Sequence, residues 1–145
     1  MEHSLEQIQT LWDKDSLLEL DRLTDHSLQI SQLHNRYYKI LINEKIRLKT
    51  LENNLNQLRL EKYEMYLHGA TKEHVAKGWD IPHNRILKSD IEVYLQGDKQ
   101  MIEVSNKIMI QSEKVKFLEA IISVLNRRSF DIRNAIEFEK FKHGI

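Results

Sequence analysis

The 145-residue chain contains no cysteine. That excludes a disulfide framework and a thiolate zinc site. Proline occurs once and glycine four times, too sparsely for a fold rich in tight turns, so long uninterrupted helices are expected. No stretch approaches the roughly 20 consecutive apolar residues of a membrane span. The acidic N-terminus lacks signal-peptide character, and the expectation is a soluble intracellular protein. Glycine-rich phosphate loops, G-x-S-x-G and H-E-x-x-H are all missing, and the carboxylates are scattered with no pair singled out. No enzyme and no cofactor are predicted. His68, His74 and His83 crowd one region, but their spacings of six and nine fit no compact ligand motif, so no metal site is expected.

Charge is present in quantity and unevenly placed. Formal net charge is zero, yet residues 1–27 carry seven acids against Lys14 and Arg22, a balance of −5. Residues 28–68 carry seven bases against four acids, a balance of +3. An acidic arm beside a basic helix can serve two partners, or the arm can cover the helix.

The arm at 1–27 shows two capping-box patterns, "SLEQ" at 4–7 and "SLLE" at 16–19. In each, a hydroxyl precedes by three residues a side chain able to reach back. Short helices are predicted near 5–12 and 17–22, followed by an extended connection through "LTDHSLQIS". A long basic helix follows within 28–68, its pattern running from about Ser31 to His68. Leu41, Leu48, Leu51, Leu55, Leu58 and Met65 recur at helical spacing, with Glu44 and Lys62 on the same seam. Gly69 ends it. Residues 69–97 form a turn region, with one helical turn predicted at 71–77. A capping box at 89–92 is expected to start a short helix ending before Gly97.

The segment 98–145 is the most regular. Met101, Val104, Ile108, Gln111, Val115, Leu118, Ile122, Leu125, Ser129, Ile132 and Ile136 alternate steps of three and four. A 3.5-residue period held over five heptads marks a left-handed coiled-coil seam. A helix of about 40 residues would run roughly 60 Å, longer than a compact globule of this size accommodates. The expected fold is all-α, an extended helical hairpin whose C-terminal helix completes its core with other copies, packed between neighbours in a ring or bundle. Val115, Leu118, Ile122, Leu125, Ile132 and Ile136 supply the seam. Phe130, Phe138 and Phe141 lie off it and widen the apolar face for a second neighbour. Arg127 and Arg133 stand four residues before Asp131 and Glu137, which reads as local ion pairing.

On the middle helix, Lys45, Arg59, Lys62, Tyr63 and Tyr66 fall within an arc of about 100°. Cations with interleaved aromatics suit single-stranded nucleic acid, because the cations follow phosphates and every base has a face to stack. Glu52 shares the arc, and Lys62 also falls on the apolar seam. The same tyrosines therefore also read as core residues, and spacing alone favours that role.

Five words then appear in order: "SQLHNRYYKIL" (31–41), "YLHG" (66–69), "KGWD" (77–80), "ILKSDIEVYLQGD" (86–98) and "IRNAIEFEKF" (132–141). Together they resemble the UvsY family of recombination mediators from tailed bacteriophages, over roughly residues 28–141. The resemblance implies a non-enzymatic mediator in the cytoplasm of the infected bacterial host. Its partners would be single-stranded DNA, a RecA-like recombinase, single-strand binding protein and copies of itself in a ring-like homo-oligomer. It places the DNA-binding stretch at 58–69, with Glu61 and Tyr63 where a basic pair would fall and Arg59 and Lys62 as nearby substitutes. The candidate DNA-binding residues are thus Lys45, Lys49, Arg59, Lys62, Tyr63 and Tyr66. The alternative is a structural coiled-coil adaptor that never touches nucleic acid.

Overall fold

A computed structural model describes residues 2–144. Among these residues every regular element is helical: α1 (Leu5–Asp15), α2 (Leu23–His68), α3 (Lys72–Ala76), α4 (Ile91–Gln96) and α5 (Lys99–Lys142), with single 3-10 turns at Leu20–Arg22 and Lys88–Asp90. The chain divides into two compact units. One comprises the described residues of Met1–Ile46 with Gln111–Ile145, and the other is Arg47–Ile110.

In the first unit, α1 begins as expected. Ser4 Oγ accepts from the Gln7 amide at 3.1 Å, and Gln7 Oε1 accepts from the Ser4 amide at 2.9 Å, which satisfies two otherwise orphaned donors. The second expected capping box does not form. Ser16 closes α1 instead: its amide donates to Trp12 O at 2.7 Å and its hydroxyl to Asp13 O at 3.2 Å. Residues 17–22 hold one 3-10 turn rather than a helix, and α2 starts at Leu23. The expected extended connection is therefore helical. No glycine or proline interrupts it, Asp25 sits favourably in the first turn, and Leu23, His26, Ile30, Leu33 and Tyr37 step by three and four along its buried or half-buried face.

The core of this unit joins Ile8, Tyr37, Ile40 and Leu41 with Val115, Leu118, Ile121, Leu125 and Ile132 of α5. The α5 stripe departs from the expected seam at alternate steps. Ile121 is fully buried while Ile122 is half-buried, and Arg128 is buried while Ser129 is exposed. The cause is a helix touching two neighbours, which must bury a wider and rotated face. Arg128 donates to Asp15 O at 2.9 Å and lies 5.5 Å from the Trp12 ring, so α1 covers that side. The expected pairing of Arg133 with Glu137 is also replaced. Arg133 lies over the Phe130 ring at 5.5 Å, and Glu137 pairs with Lys140 at 3.7 Å. Glu44, on the α2 seam, is fully buried and accepts 2.6 Å from Gln111 Nε2.

In the second unit, Gly69 ends α2 with φ 97, a left-handed conformation that costs glycine little. Thr71 caps α3, its amide donating to His74 Nδ1 at 3.0 Å. Met65, Tyr66, Ile86, Ile91 and Leu95 form the core, with Tyr63, Leu67 and Trp79 packed against it. The short helix expected after 89–92 is α4, ending before Gly97. Its capping box is not made: Ser89 lies inside the 3-10 turn, and α4 starts after Asp90 without a side-chain cap bond.

Candidate nucleic-acid interface

The six expected DNA-binding side chains divide into two groups. Lys62, Tyr63 and Tyr66 point into the second unit. The Lys62 ammonium is fully buried, 3.0 Å from Asp98 Oδ2 and 2.7 Å from Gln100 Oε1, and sits 3.9 Å from the Trp79 ring centroid. Tyr66 donates its hydroxyl to the same Asp98 oxygen at 2.9 Å. Asp98 also starts α5, its Oδ1 accepting from the Met101 amide at 3.1 Å. Burial alone would raise the Asp98 carboxyl, but the Met101 amide, Lys62 and the Tyr66 hydroxyl together hold it below its ordinary value. Burial, and then the hydrogen bond to Asp98, hold the Tyr66 phenol protonated well above its own. A phosphate cannot approach the Lys62 ammonium without breaking this cluster, so in this fold Lys62 and Tyr66 are interior residues. Tyr63 is half-buried against the same core.

Lys45, Lys49 and Arg59 point outward. Lys45 belongs to the first unit and lies 3.4 Å from Glu119, both side chains about half exposed. Arg59 Nη2 meets Glu92 Oε2 at 2.5 Å on the surface of the second unit. Such exposed pairs contribute about 0–1 kcal/mol and yield readily to a competing phosphate.

The turn region carries cations that the sequence reading passed over. Residues 69–88 contain Lys72, Lys77, Arg85 and Lys88 against Glu73 and Asp80, and all four bases are exposed. Trp79 holds this loop in place. His74 stacks on it at 5.2 Å and 10°, and Lys77 lies 4.9 Å from its centroid while pairing with Glu61 at 3.1 Å. Between the last turn of α2 and the loop lies a cavity of about 500 Å³. His68, His83 and Arg85 line it, with no carboxylate among its walls. The excess of bases within 69–88 is visible in the sequence, but it carries no periodic pattern to mark it.

Of the expected self-association residues, Val115, Leu118, Leu125 and Ile132 are buried within one protomer, and Ile122 is half-buried. Phe130, Ile136 and Phe138 face outward. Among the described residues, no group of three His, Asp or Glu side chains could hold a metal ion, and no helix is long and apolar enough to cross a membrane.

Two helices of 46 and 44 residues with short helices between them define an all-helical, long-helix protein. The chain belongs to the UvsY family: residues 11–145 match the family described as recombination, repair and ssDNA binding protein UvsY. Its fold is similar to crystal structures of the bacteriophage T4 recombination mediator protein UvsY. Lattice type II gives a TM-score of 0.79 at 17% identity, covering 98% of this chain and 99% of that one. Type IV gives 0.78 at 14%, covering 97% and 99%. Type I gives 0.76 at 16%, covering 92% and 97%. A search of curated proteins returns no match.

Proposed function

We propose that this protein is a non-enzymatic recombination mediator that binds single-stranded DNA. It would act in the cytoplasm of an infected bacterium, as a ring-like homo-oligomer, and promote loading of a RecA-like recombinase onto DNA covered by single-strand binding protein. The observation that carries this reading is the family match over residues 11–145. The outward cations support it physically. Lys49 and Arg59, with Lys72, Arg85 and Lys88 of the loop, present phosphate-binding groups on the second unit, and Lys45 adds a separate contact on the first. Lys62, Tyr63 and Tyr66 then serve DNA binding by holding the loop, not by touching the strand. Each contact is weak and salt-sensitive, and an assembly multiplies such contacts through effective concentration.

Titration with single-stranded DNA across salt tests this. If four phosphates are neutralised, a slope of about −2.8 in log affinity against log salt is expected, which is about a 50-fold loss between ~50 and ~200 mM. An affinity that stays flat contradicts phosphate-led binding. The second reading is an adaptor that does not bind nucleic acid, favoured by the inward placement of Lys62 and Tyr66. Arg59→Ala with Lys49→Ala separates the two: the mediator loses DNA affinity and keeps its oligomer, while the adaptor has no DNA affinity to lose.

A further inference from the structure

The cavity beside the last turn of α2 has apolar walls: Met65, Tyr66 and Ile86, all buried, with Pro82 beside them. At about 500 Å³ it falls among sites that hold small ligands, which span roughly 300–1,000 Å³. The C-terminus of α2 forms part of its wall. Gly69 turns the chain away with φ 97, and its amide closes on Met65 O at 2.9 Å. Among the described residues no backbone amide reaches the carbonyls of Tyr66, Leu67 and His68, three wall residues. The last turn of a helix leaves its carbonyls open in this way.

The part of the wall that comes from the loop supplies donors. His83, Asn84 and Arg85 are exposed, and none has a hydrogen bond or ion pair among the described residues. His68 differs, since its Nε2 lies 3.2 Å from Glu64 Oε2. Open acceptors and open donors therefore border one apolar space. The edge of a nucleobase asks for this combination, because a flat apolar ring carries adjacent donors and acceptors. A phosphate suits the interior poorly, since the C-terminal end of a helix carries partial negative charge. It suits the rim, where Arg85 stands in solvent.

We propose that this cavity seats one unstacked base of a bound strand, and that it selects cytosine and adenine. Both bases set an exocyclic amino group beside a ring nitrogen that accepts a hydrogen bond. The amino group donates to the open carbonyls of α2, and the ring nitrogen accepts from His83 or Asn84. Thymine and guanine carry a carbonyl oxygen in place of that amino group. It would face the helix carbonyls with no proton between them. Polar groups left unpaired in this way are what give a hydrogen-bonding site its discrimination. The inference rests on the single-stranded DNA reading above and adds base selectivity to it.

Fluorescence anisotropy with oligo(dC) and oligo(dT) of equal length, at one salt concentration, tests it. Both are pyrimidine strands with the same backbone, so the phosphate contacts are shared. One hydrogen bond gained at the seat predicts oligo(dC) binding about fivefold tighter. His83→Ala with Asn84→Ala should erase that preference and leave oligo(dT) affinity nearly unchanged. Arg85→Ala should instead weaken both strands alike and reduce the salt slope by about 0.7. All three side chains are exposed, and far-UV circular dichroism checks the fold; the comparison of native affinities stands without either variant. Equal native affinity for the two strands, or a preference that survives the double substitution, overturns the base seat while the DNA-binding reading stands. A native protein that binds neither strand overturns both.

Discussion

Lys62 Nζ lies 3.0 Å from Asp98 Oδ2, with both side chains withdrawn from water. Removing one member of a buried ion pair leaves the other uncompensated, at about 3–5 kcal/mol. Lys62→Met is therefore expected to lower the unfolding free energy, measured by chemical denaturation, by that amount. Single-stranded DNA affinity should fall only in step with that loss of stability, since Lys62 holds the loop and does not touch the strand. Loss of affinity without loss of stability would mean that Lys62 reaches phosphate after all.

Acid should weaken the same cluster. Asp98 is held below its ordinary value of 3.8, so its stabilising contribution is fully present above that pH. The contribution disappears as pH falls through the lower, folded-state value. The stability difference between native protein and Asp98→Asn should be constant from neutrality to about pH 4 and shrink below it. Chemical denaturation at stepped pH measures this, and a difference that grows in acid would reverse the assigned direction.

The alkaline side concerns Tyr37 and Tyr66, whose buried hydroxyls donate to Asp15 and Asp98. Both phenols are pushed above their ordinary value of 10.0, first by burial. The stability they contribute is complete below that pH and lost as pH climbs through the folded-state values. Phenolate absorbance from these two groups should appear only together with loss of helicity. Ionisation of all five tyrosines with helicity intact would contradict their placement.

On α5, Ile121 is fully buried and its neighbour Ile122 half-buried. Ile121→Ala should cost about 2–5 kcal/mol, and Ile122→Ala roughly half as much, in proportion to the apolar area withdrawn from water. Equal costs would restore the unrotated seam.

Arg128 is buried, and its Nη1 has no hydrogen-bond partner. Desolvation pushes its guanidinium below its ordinary value. The long stem over Trp12 should therefore matter more than the charge. Arg128→Met is expected to stay within about 1 kcal/mol of the native protein, whereas Arg128→Ala should lose about 2 kcal/mol by opening a cavity. Urea unfolding of both variants decides the point.

Much of the fold was legible in the chain because it is local. The box at Ser4 and Gln7, the stop at Gly69 and the long period of α5 each follow from side chains within a few residues of one another. Glu44 and Lys62 were correctly read as seam positions, and both are fully buried. Their partners, Gln111 and Asp98, were not legible, since 67 and 36 residues separate the members of each pair. The helix expected at 17–22 is absent because Ser16 suits a helix beginning as well as a helix end, and only its bond to Asp13 O shows which role it takes.

The amino-acid sequence by itself determined that this protein is helical, where its longest helix ends, and to which family its words bear a resemblance. Periodicity and capping act through neighbours along the chain, so they survive without a third dimension. Only the tertiary structure decided which side of each helix faces inward. It turned Lys62 and Tyr66 away from solvent, brought Arg128 rather than Ser129 under α1, and left Phe130, Phe138 and Phe141 outside. An apolar stripe fixes the period of a packed helix, but the number and placement of its neighbours fix its rotation.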